Sequence, residues 1–253
     1  MDTREDLLRR IALLEHKVEV LVENRVGMLE DIEEIKRLQR TYGYYIDLCL
    51  WEPMADLFAE KGAAIEIGRR GRYIGKDNVL KFLRDVNGGG LTGLRRQQVI
   101  NHTQGQGIVT VSPDRLQAQA RWRAVIQGGG GPQRQPIPGA SPAPAPGGVG
   151  PPGSLTGGAM MYSEGVYENT YVRENGVWKI AILFWVPTYY VSHGYDYLWF
   201  QSAAASAEIP PQRAPTPPLE GLGRQFMPFH YRHPITGAAV APIVADSTAG
   251  PPA

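Results

Sequence analysis

Three proton-bearing side chains, Tyr42, Tyr45 and Asp47, crowd the stretch Leu38-Gln-Arg-Thr-Tyr-Gly-Tyr-Tyr-Ile-Asp-Leu-Cys-Leu-Trp51. Leu38, Tyr42 and Tyr45 follow i, i+4, i+7 spacing, so they share one face of a helix. At about 100° per residue, Asp47 falls on the flank of that face, near the helix end. A carboxylate beside two phenols at the edge of an apolar stripe needs a partner, because an isolated buried charge is costly. Such a group suits acid–base work. A second reading is equally open: Asp47 caps a following helix, Trp51–Phe58, whose Pro53 suits a first turn. Histidines are the other residues able to do chemistry. His193, His230 and His233 have no carboxylates at ligand spacing, and His230 and His233 stand beside Pro228 and Pro234, not on a helix. No metal site is expected from them. His16 falls on an N-terminal helix and is expected to be solvated.

The elements that must position these groups can be read from periodicity. Residues 3–23 predict a helix in which Leu7, Ile11, Leu14, Val18 and Leu21 form a heptad seam. Ile11 and Val18 take a positions; Leu7, Leu14 and Leu21 take d positions. The next a position is Arg25, followed by Gly27, so the seam ends near Asn24. This reads as an arm of residues 1–27 that contacts another subunit; packing on its own domain is the alternative. A second helix is predicted from Met28 to Leu50, with Leu29, Ile32, Ile35 and Leu38 inward, and a short third over Pro53–Phe58. A strand at 63–68 and a turn at 69–72 lead to a helix over Lys76–Val86, which Gly88-Gly-Gly90 ends.

From there the period is two. Arg96–His102, Gly107–Val111 and Leu116–Ile126 read as strands, with Ser112-Pro-Asp114 as a turn. Residues 128–158 hold 11 Gly and 8 Pro and read as a long loop between neighbouring strands, with the makings of a lid. Met160–Arg173 and Val177–Thr188 are strands joined by Glu174-Asn-Gly176, and Asn-Gly is a strong hairpin signal. Residues 201–253 form an extended C-terminal segment. Its Phe226-Met-Pro-Phe-His-Tyr-Arg-His-Pro234 is too rich in large apolar groups for a free tail, so it is expected to dock. The final fifteen or so residues read as disordered. The fold class is α+β: a curved, mainly antiparallel sheet wrapped around helices.

Composition excludes several classes. Twenty-six basic and 25 acidic residues leave a net charge of +1 with no clustered basic face, so no nucleic-acid partner is expected. One cysteine, Cys49, excludes an intrachain disulfide framework and a cysteine-based metal site. No apolar run reaches the roughly 18 residues of a membrane span, and the charged N-terminus lacks a signal-peptide core. The expectation is a soluble, cytoplasmic protein with no membrane partner.

The layout and several local patterns resemble the SnoaL-like branch of the nuclear transport factor 2-like superfamily. The matching stretches are Ile32–Phe58, Tyr73–Leu83, Asn101–Ala120 and Gly165–Ile182. That family's first core helix carries a Tyr, an Asp five residues on and a Trp four further, matched by Tyr42, Asp47 and Trp51. Gly75-Lys-Asp77, Gly165-Val-Tyr-Glu-Asn-Thr-Tyr-Val-Arg173 and Asn175-Gly-Val-Trp-Lys-Ile180 are similar too. The likeness covers roughly 35–188. It implies a cone-shaped α+β barrel, here residues 28–200, with a deep pocket and cofactor-free acid–base chemistry. It implies that Asp47 pairs with a sheet histidine, for which His102 in Asn101-His-Thr is the match, and that Tyr42 and Tyr45 assist. It further implies substrate contacts from Asn101, Arg121, Arg123, Trp185 and Tyr189.

Taken over its extended termini, the chain also resembles the diarylpropane lyases, or γ-formaldehyde lyases, of lignin catabolism. The resemblance implies a small aromatic substrate: loss of formaldehyde from a diaryl diol would leave a stilbene through a quinone methide. Simple dehydration of a polyketide- or steroid-like substrate, epoxide hydrolysis or isomerisation, and non-catalytic binding of a small molecule remain open. No cofactor is expected, and the exposed seam together with the resemblance implies a homo-oligomer, dimer or trimer.

Overall fold

A computed structural model describes residues 3–95, 98–130, 158–192, 204–219 and 224–242. A helical rod opens the chain. Helix α1 (Arg4–Leu21) starts from a capping box in which Thr3 Oγ accepts from the Asp6 amide and the Asp6 side chain accepts from the Thr3 amide. It passes through one π-helical turn, Val22–Val26, into α2 (Gly27–Asp47). The break expected near Asn24 is therefore absent. Gly27 is a clearance rather than a stop: a Cβ there would lie 2.1 Å from Arg115 Nη1. That guanidinium crosses the rod and donates to the Glu23 carbonyl at 2.8 Å. No residue of α1 is buried, which sets aside packing of the arm on its own domain.

The buried face of α2 is Asp31, Ile35, Gln39, Tyr42 and Ile46. The apolar stripe read from sequence is offset from it: Leu29 is 64% exposed and Leu38 only packs at the core margin. Two polar side chains take the inner positions because the sheet gives them partners. Asp31 receives Arg115 at 2.5 and 3.1 Å and Trp178 Nε1 at 2.9 Å. Gln39 accepts from Asn169 and Tyr171 at 2.9 and 2.7 Å and donates to Gln104 at 2.6 Å. Satisfied this way, buried polar groups fix the seating of helix on sheet.

Helix α3 (Trp51–Ala55) is followed by β1 (Ala64–Ile67), a 3₁₀ turn Gly68–Arg70, β2 (Arg72–Ile74), α4 (Lys76–Lys81) and a π-helical turn to Asn87. Then come β3 (Gln98–Val111), β4 (Gln117–Gly130), β5 (Gly158–Glu174) and β6 (Val177–Ser192). The six strands form one sheet in the order β2-β1-β6-β5-β4-β3, in which only β1 and β6 run parallel. The fold is thus α+β, with a curved, open, mixed sheet closed over by α2. The hairpin at Asn175-Gly176 forms as expected, both residues at positive φ.

Two strand readings need correction. The two segments expected at 96–102 and 107–111 belong to one strand, β3, bulged between Gly105 and Ile108 where Gln106 takes φ 50°. Gly128–Gly130, assigned to the loop, still pair with β3. At the loop's other end Gly158 already belongs to β5, while residues 131–157, the aromatic run at 193–200 with His193, and residues 243–253 lie outside the described residues.

The C-terminal segment docks, as its aromatic content required. Arg213 exchanges backbone hydrogen bonds with Arg72 at 2.9 and 3.1 Å, so the strap pairs with the β2 edge. Tyr73 OH donates to the Ile209 carbonyl at 2.8 Å, and the Thr216 amide donates to Glu66 at 2.6 Å. Further along, the strap crosses the outer face of the sheet. Arg121 donates to the carbonyls of Met227 and Pro228 at 2.8 and 2.9 Å and lies 4.5 Å from the Phe229 ring centre. His230 Nδ1 meets Glu168 at 2.5 Å.

Candidate active site

Asp47 ends α2, and His102 faces inward from the first half of β3. Their side chains meet: His102 Nδ1 lies 2.8 Å from Asp47 Oδ1. Against a carboxylate, Nδ1 must carry the proton, which leaves Nε2 for the cavity that His102 lines. The imidazole is buried and the carboxylate keeps a partly open edge, with side chains 5% and 19% exposed. The capping alternative for Asp47 falls, since α3 starts from Leu50 with no side-chain cap.

The cavity measures about 560 Å³ including its mouth. Tyr42, Tyr167, Trp185 and Tyr190 supply flat aromatic walls, and isoleucines 46, 65, 67 and 126 supply hydrocarbon. The Tyr42 ring stands edge-on to Tyr167 at 5.8 Å between centroids, and Tyr167 tilts over Trp185 at 4.7 Å. Tyr42 is fully buried, with its hydroxyl beside that of Tyr167. Burial pushes this phenol well above the ordinary tyrosine range, and it does the same to Tyr167. Both stay protonated at neutral pH and can donate to an oxygen placed in the cavity.

The other expected site residues divide. Trp185 lines the cavity. Tyr45 does not: it sits half-buried on the flank of α2, turned from Tyr42 by three residues. Asn101 faces away from His102, as neighbours on a strand must, and donates to Thr103 Oγ1 at 3.3 Å. Arg121 and Arg123 also lie on the outer face, alternating with the buried Ala120, Trp122 and Ala124. Arg121 pairs with Glu168, and Arg123 pairs with Glu164 and donates to Gln106 at 2.7 Å. Tyr189 is displaced by a bulge: Gly165 pairs with Pro187 and Glu164 with Tyr189, so Thr188 is skipped. That shift turns Tyr190 inward beside Ser163 in place of Tyr189.

Sequence reasoning placed Tyr190 only among aromatics that pack or form pocket wall, did not name Tyr167 as a site residue, and missed Arg70 altogether. The last was read as part of a charged turn, yet it is 6% exposed and lines the cavity. Its Nη1 donates to Asn87 Oδ1 at 3.0 Å. The available signal was Gly68-Arg-Arg-Gly71, a basic pair between two glycines that both take positive φ, which curls the turn back over the cavity. Among the described residues, no three His, Cys, Asp or Glu side chains gather in a way that could hold a metal ion. His230 is committed to Glu168, and His233 Nδ1 accepts from two amides of its own turn at 3.2 Å. No described helix is long and apolar enough to cross a membrane.

A curved sheet closed by a long helix over an aromatic cavity, with an acid–histidine pair at its wall, defines an α+β cone with an internal cavity. The chain belongs to the SnoaL-like domain family, whose model matches residues 27–183, more than half of its length. No functionally curated protein matches it. Among solved structures, one provisionally named a scytalone dehydratase, from Novosphingobium aromaticivorans, is 18% identical, with a TM-score of 0.48 over 71% of this chain and 95% of its own. LinA is 15% identical with a TM-score of 0.49, covering 69% and 97% of the two chains. The hexachlorocyclohexane dehydrochlorinase LinA-type3 of Novosphingobium barchaimii is 16% identical with a TM-score of 0.46, covering 69% and 96%.

Proposed function

We propose that the protein is a cofactor-independent lyase acting by acid–base catalysis on an aromatic small molecule, and that its reaction is deformylation of a diarylpropane diol to a stilbene. The observation that carries this reading is the Asp47–His102 pair, whose His102 lines an aromatic-walled cavity. A histidine with its Nδ1 held by a carboxylate can both give and take a proton at Nε2.

The steps balance. A para-hydroxyaryl substrate enters as its phenolate. Protonated His102 gives its proton to the benzylic hydroxyl, which leaves as water, and the phenolate electrons close a quinone methide. Neutral His102 then takes the proton of the terminal hydroxyl. The carbon–carbon bond breaks, formaldehyde leaves, and the bond's electron pair restores the phenolate as a stilbene. His102 ends as it began. Asp47 stabilises the imidazolium, and Tyr42 donates to the departing hydroxyl. Dry walls keep the quinone methide from bulk water.

The test is product analysis on 1-(4-hydroxyphenyl)-2-arylpropane-1,3-diols. Formaldehyde and stilbene in equal amounts are expected; a product that retains the third carbon would mean simple dehydration. Asp47→Asn and His102→Ala should each lower turnover by about 10²–10⁴ with the fold intact by circular dichroism. Tyr42→Phe should be milder, and added chelator should leave the rate unchanged. Wild-type turnover in both dyad variants, or a rate abolished by chelator, would refute the mechanism. Binding without turnover would identify a carrier.

A further inference from the structure

Helix α2 is bridged to β3 twice. Asp47 meets His102, and two helical turns earlier Gln39 Nε2 donates to Gln104 Oε1 at 2.6 Å. Residues 39, 43 and 47 recur every four positions, so they follow one ridge of the helix, about 12 Å from first to last. His102 and Gln104 share the inner face of β3, about 6.7 Å apart. Gly43 lies between the bridges and is buried. A Cβ there would stand 2.8 Å from Gln104 Nε2 and 3.8 Å from the His102 carbonyl oxygen. Helix backbone and strand therefore approach most closely at this glycine, midway between the two bridges.

The strand needs such a tie. β3 is an edge strand, paired with β4 alone, and its ladder shifts register between Gly105 and Ile108, one residue beyond Gln104. A bulge bends its strand and disrupts the ladder locally, so the seat of the residues beside it depends on what packs against them. Gln39 supplies a fixed reference. Its Oε1 accepts from Asn169 Nδ2 at 2.9 Å and from Tyr171 OH at 2.7 Å, which leaves Nε2 to donate towards β3. Asn169 Oδ1 accepts the Phe184 amide at 3.0 Å and Tyr171 OH accepts from Trp122 at 3.1 Å, so β4, β5 and β6 together orient one glutamine. The Gln104 amide makes no other hydrogen bond among the described residues. Resonance keeps an amide rigid and planar, so a group that displaces Gln104 Nε2 also pulls its Oε1 from Gln39.

We propose that Gln39, Gln104 and Gly43 are positioning residues for the dyad: the glutamine pair and the glycine clearance set the spacing of α2 and β3 at which Asp47 reaches His102 Nδ1. None of the three lines the cavity, so they act through the dyad and not on a ligand. Alanine suits a helix interior better than glycine does, so a loss of function on Gly43→Ala comes from the contact with β3 and not from the helix. The inference rests on the lyase reading only for its turnover arm; the spacing of the dyad is a property of the free protein.

The experiment uses the full chain, first without ligand. The Nδ1 proton of His102, hydrogen-bonded to Asp47, should give a low-field proton NMR resonance in the wild type that His102→Ala removes. Gln104→Ala and Gly43→Ala should each lose that resonance or move it upfield, with the fold intact by circular dichroism. Gln104→Glu keeps an acceptor for Gln39 and should retain the resonance. Gly43→Ala added to Gln104→Ala should cost nothing further, because the new methyl enters the space the glutamine left. With the diol as substrate, kcat should fall about tenfold to a hundredfold in each single alanine variant, with KM within about twofold of wild type. A resonance unmoved in Gln104→Ala, or lost equally in Gln104→Glu, would overturn the proposal. Should Gly43→Ala fail to fold, the two Gln104 variants decide alone. Shifted resonances in a protein that releases no formaldehyde would leave the positioning standing and remove the lyase assignment; formaldehyde release with a resonance that Gln104→Ala leaves unmoved would do the reverse.

Discussion

At the scale of single residues, polar groups buried with full sets of partners mark what this chain protects. Asp31 is 1% exposed and joins Arg115, Arg173 and Trp178, tying α2 to the β3–β4 turn and to the β5–β6 hairpin. Burial works against its charge, but hydrogen bonds from Arg115 and Trp178 and the charges of both arginines outweigh that and hold the carboxyl below its usual range. A depressed folded-state value means this stabilisation is present in full above the unfolded carboxylate range, near 3.9, and is lost as pH falls through the lower folded value. Asp31→Ala should therefore cost about 3 kcal/mol at pH 7, the low end for a broken buried pair because both arginines keep some water. Thermal melts should show that gap closing below about pH 4; a gap unchanged with pH would refute the account. Little of this was visible in sequence. Asp31 and Gln39 sit where an apolar stripe would place them on the polar side, and only the partners waiting on the sheet reverse that. Asp47, by contrast, was half legible: the pattern left acid–base work and capping of the next helix equally open, and the family resemblance pointed to the first.

At the scale of elements, bulges decided which residues entered the cavity. Alternation along β6 predicts that Tyr189 follows Trp185 inward at even spacing, and skipping Thr188 substitutes Tyr190. The available mark in the local run Val-Pro-Thr-Tyr-Tyr was Pro187, which cannot donate to the ladder and within a central strand is found at bulges. The Asn-Gly hairpin was readable because its geometry demands positive φ, and only a few residue types supply it. The bulge also explains Gly165. A Cβ there would stand 2.5 Å from the Val186 carbonyl and 2.6 Å from the Trp185 ring, so the strand can bring Trp185 over the cavity only where no side chain intervenes. Gly165→Ala should destabilise by about 1–3 kcal/mol and raise KM more than it lowers kcat, since it moves a wall and not the dyad. An unchanged melting temperature and KM would show that β5 and β6 separate without cost.

At the scale of the whole molecule, the N-terminal arm is unfinished. Leu7, Ile11, Leu14, Val18 and Leu21 are each 48–59% exposed along a helix with no buried residue. In a parallel coiled coil, β-branched a positions with Leu at d favour two strands. Charge favours the parallel pairing: in it the g-position Arg10 faces the e-position Glu15 of a second copy, whereas an antiparallel one sets Arg10 against Lys17. Light scattering of the intact protein should give a mass above 27.8 kDa at micromolar concentration, and Leu14→Glu with Val18→Glu should lower it. A single-chain mass for the unaltered protein would end the assignment.

The strap that pairs with β2 also sets a schedule. Gln225 donates to the Gly68 carbonyl at 3.1 Å, and Thr216 reaches Glu66 across 150 residues, so the turn that carries Arg70 is fastened by chain made late. Ribosomes extend a chain from its N-terminus at about 5–20 residues per second, and domains fold in that order. Dyad and helix can meet once β3 has emerged, but the wall that carries Arg70 must wait until Thr216 and Gln225 have been made. A nascent chain stalled before residue 204 would hold its proton-transfer pair together with an unfastened Arg70 turn and a bare strand edge at β2. Such an edge is open to pairing with any neighbour. Reading the strap to its end therefore closes the cavity wall and caps the sheet in one event.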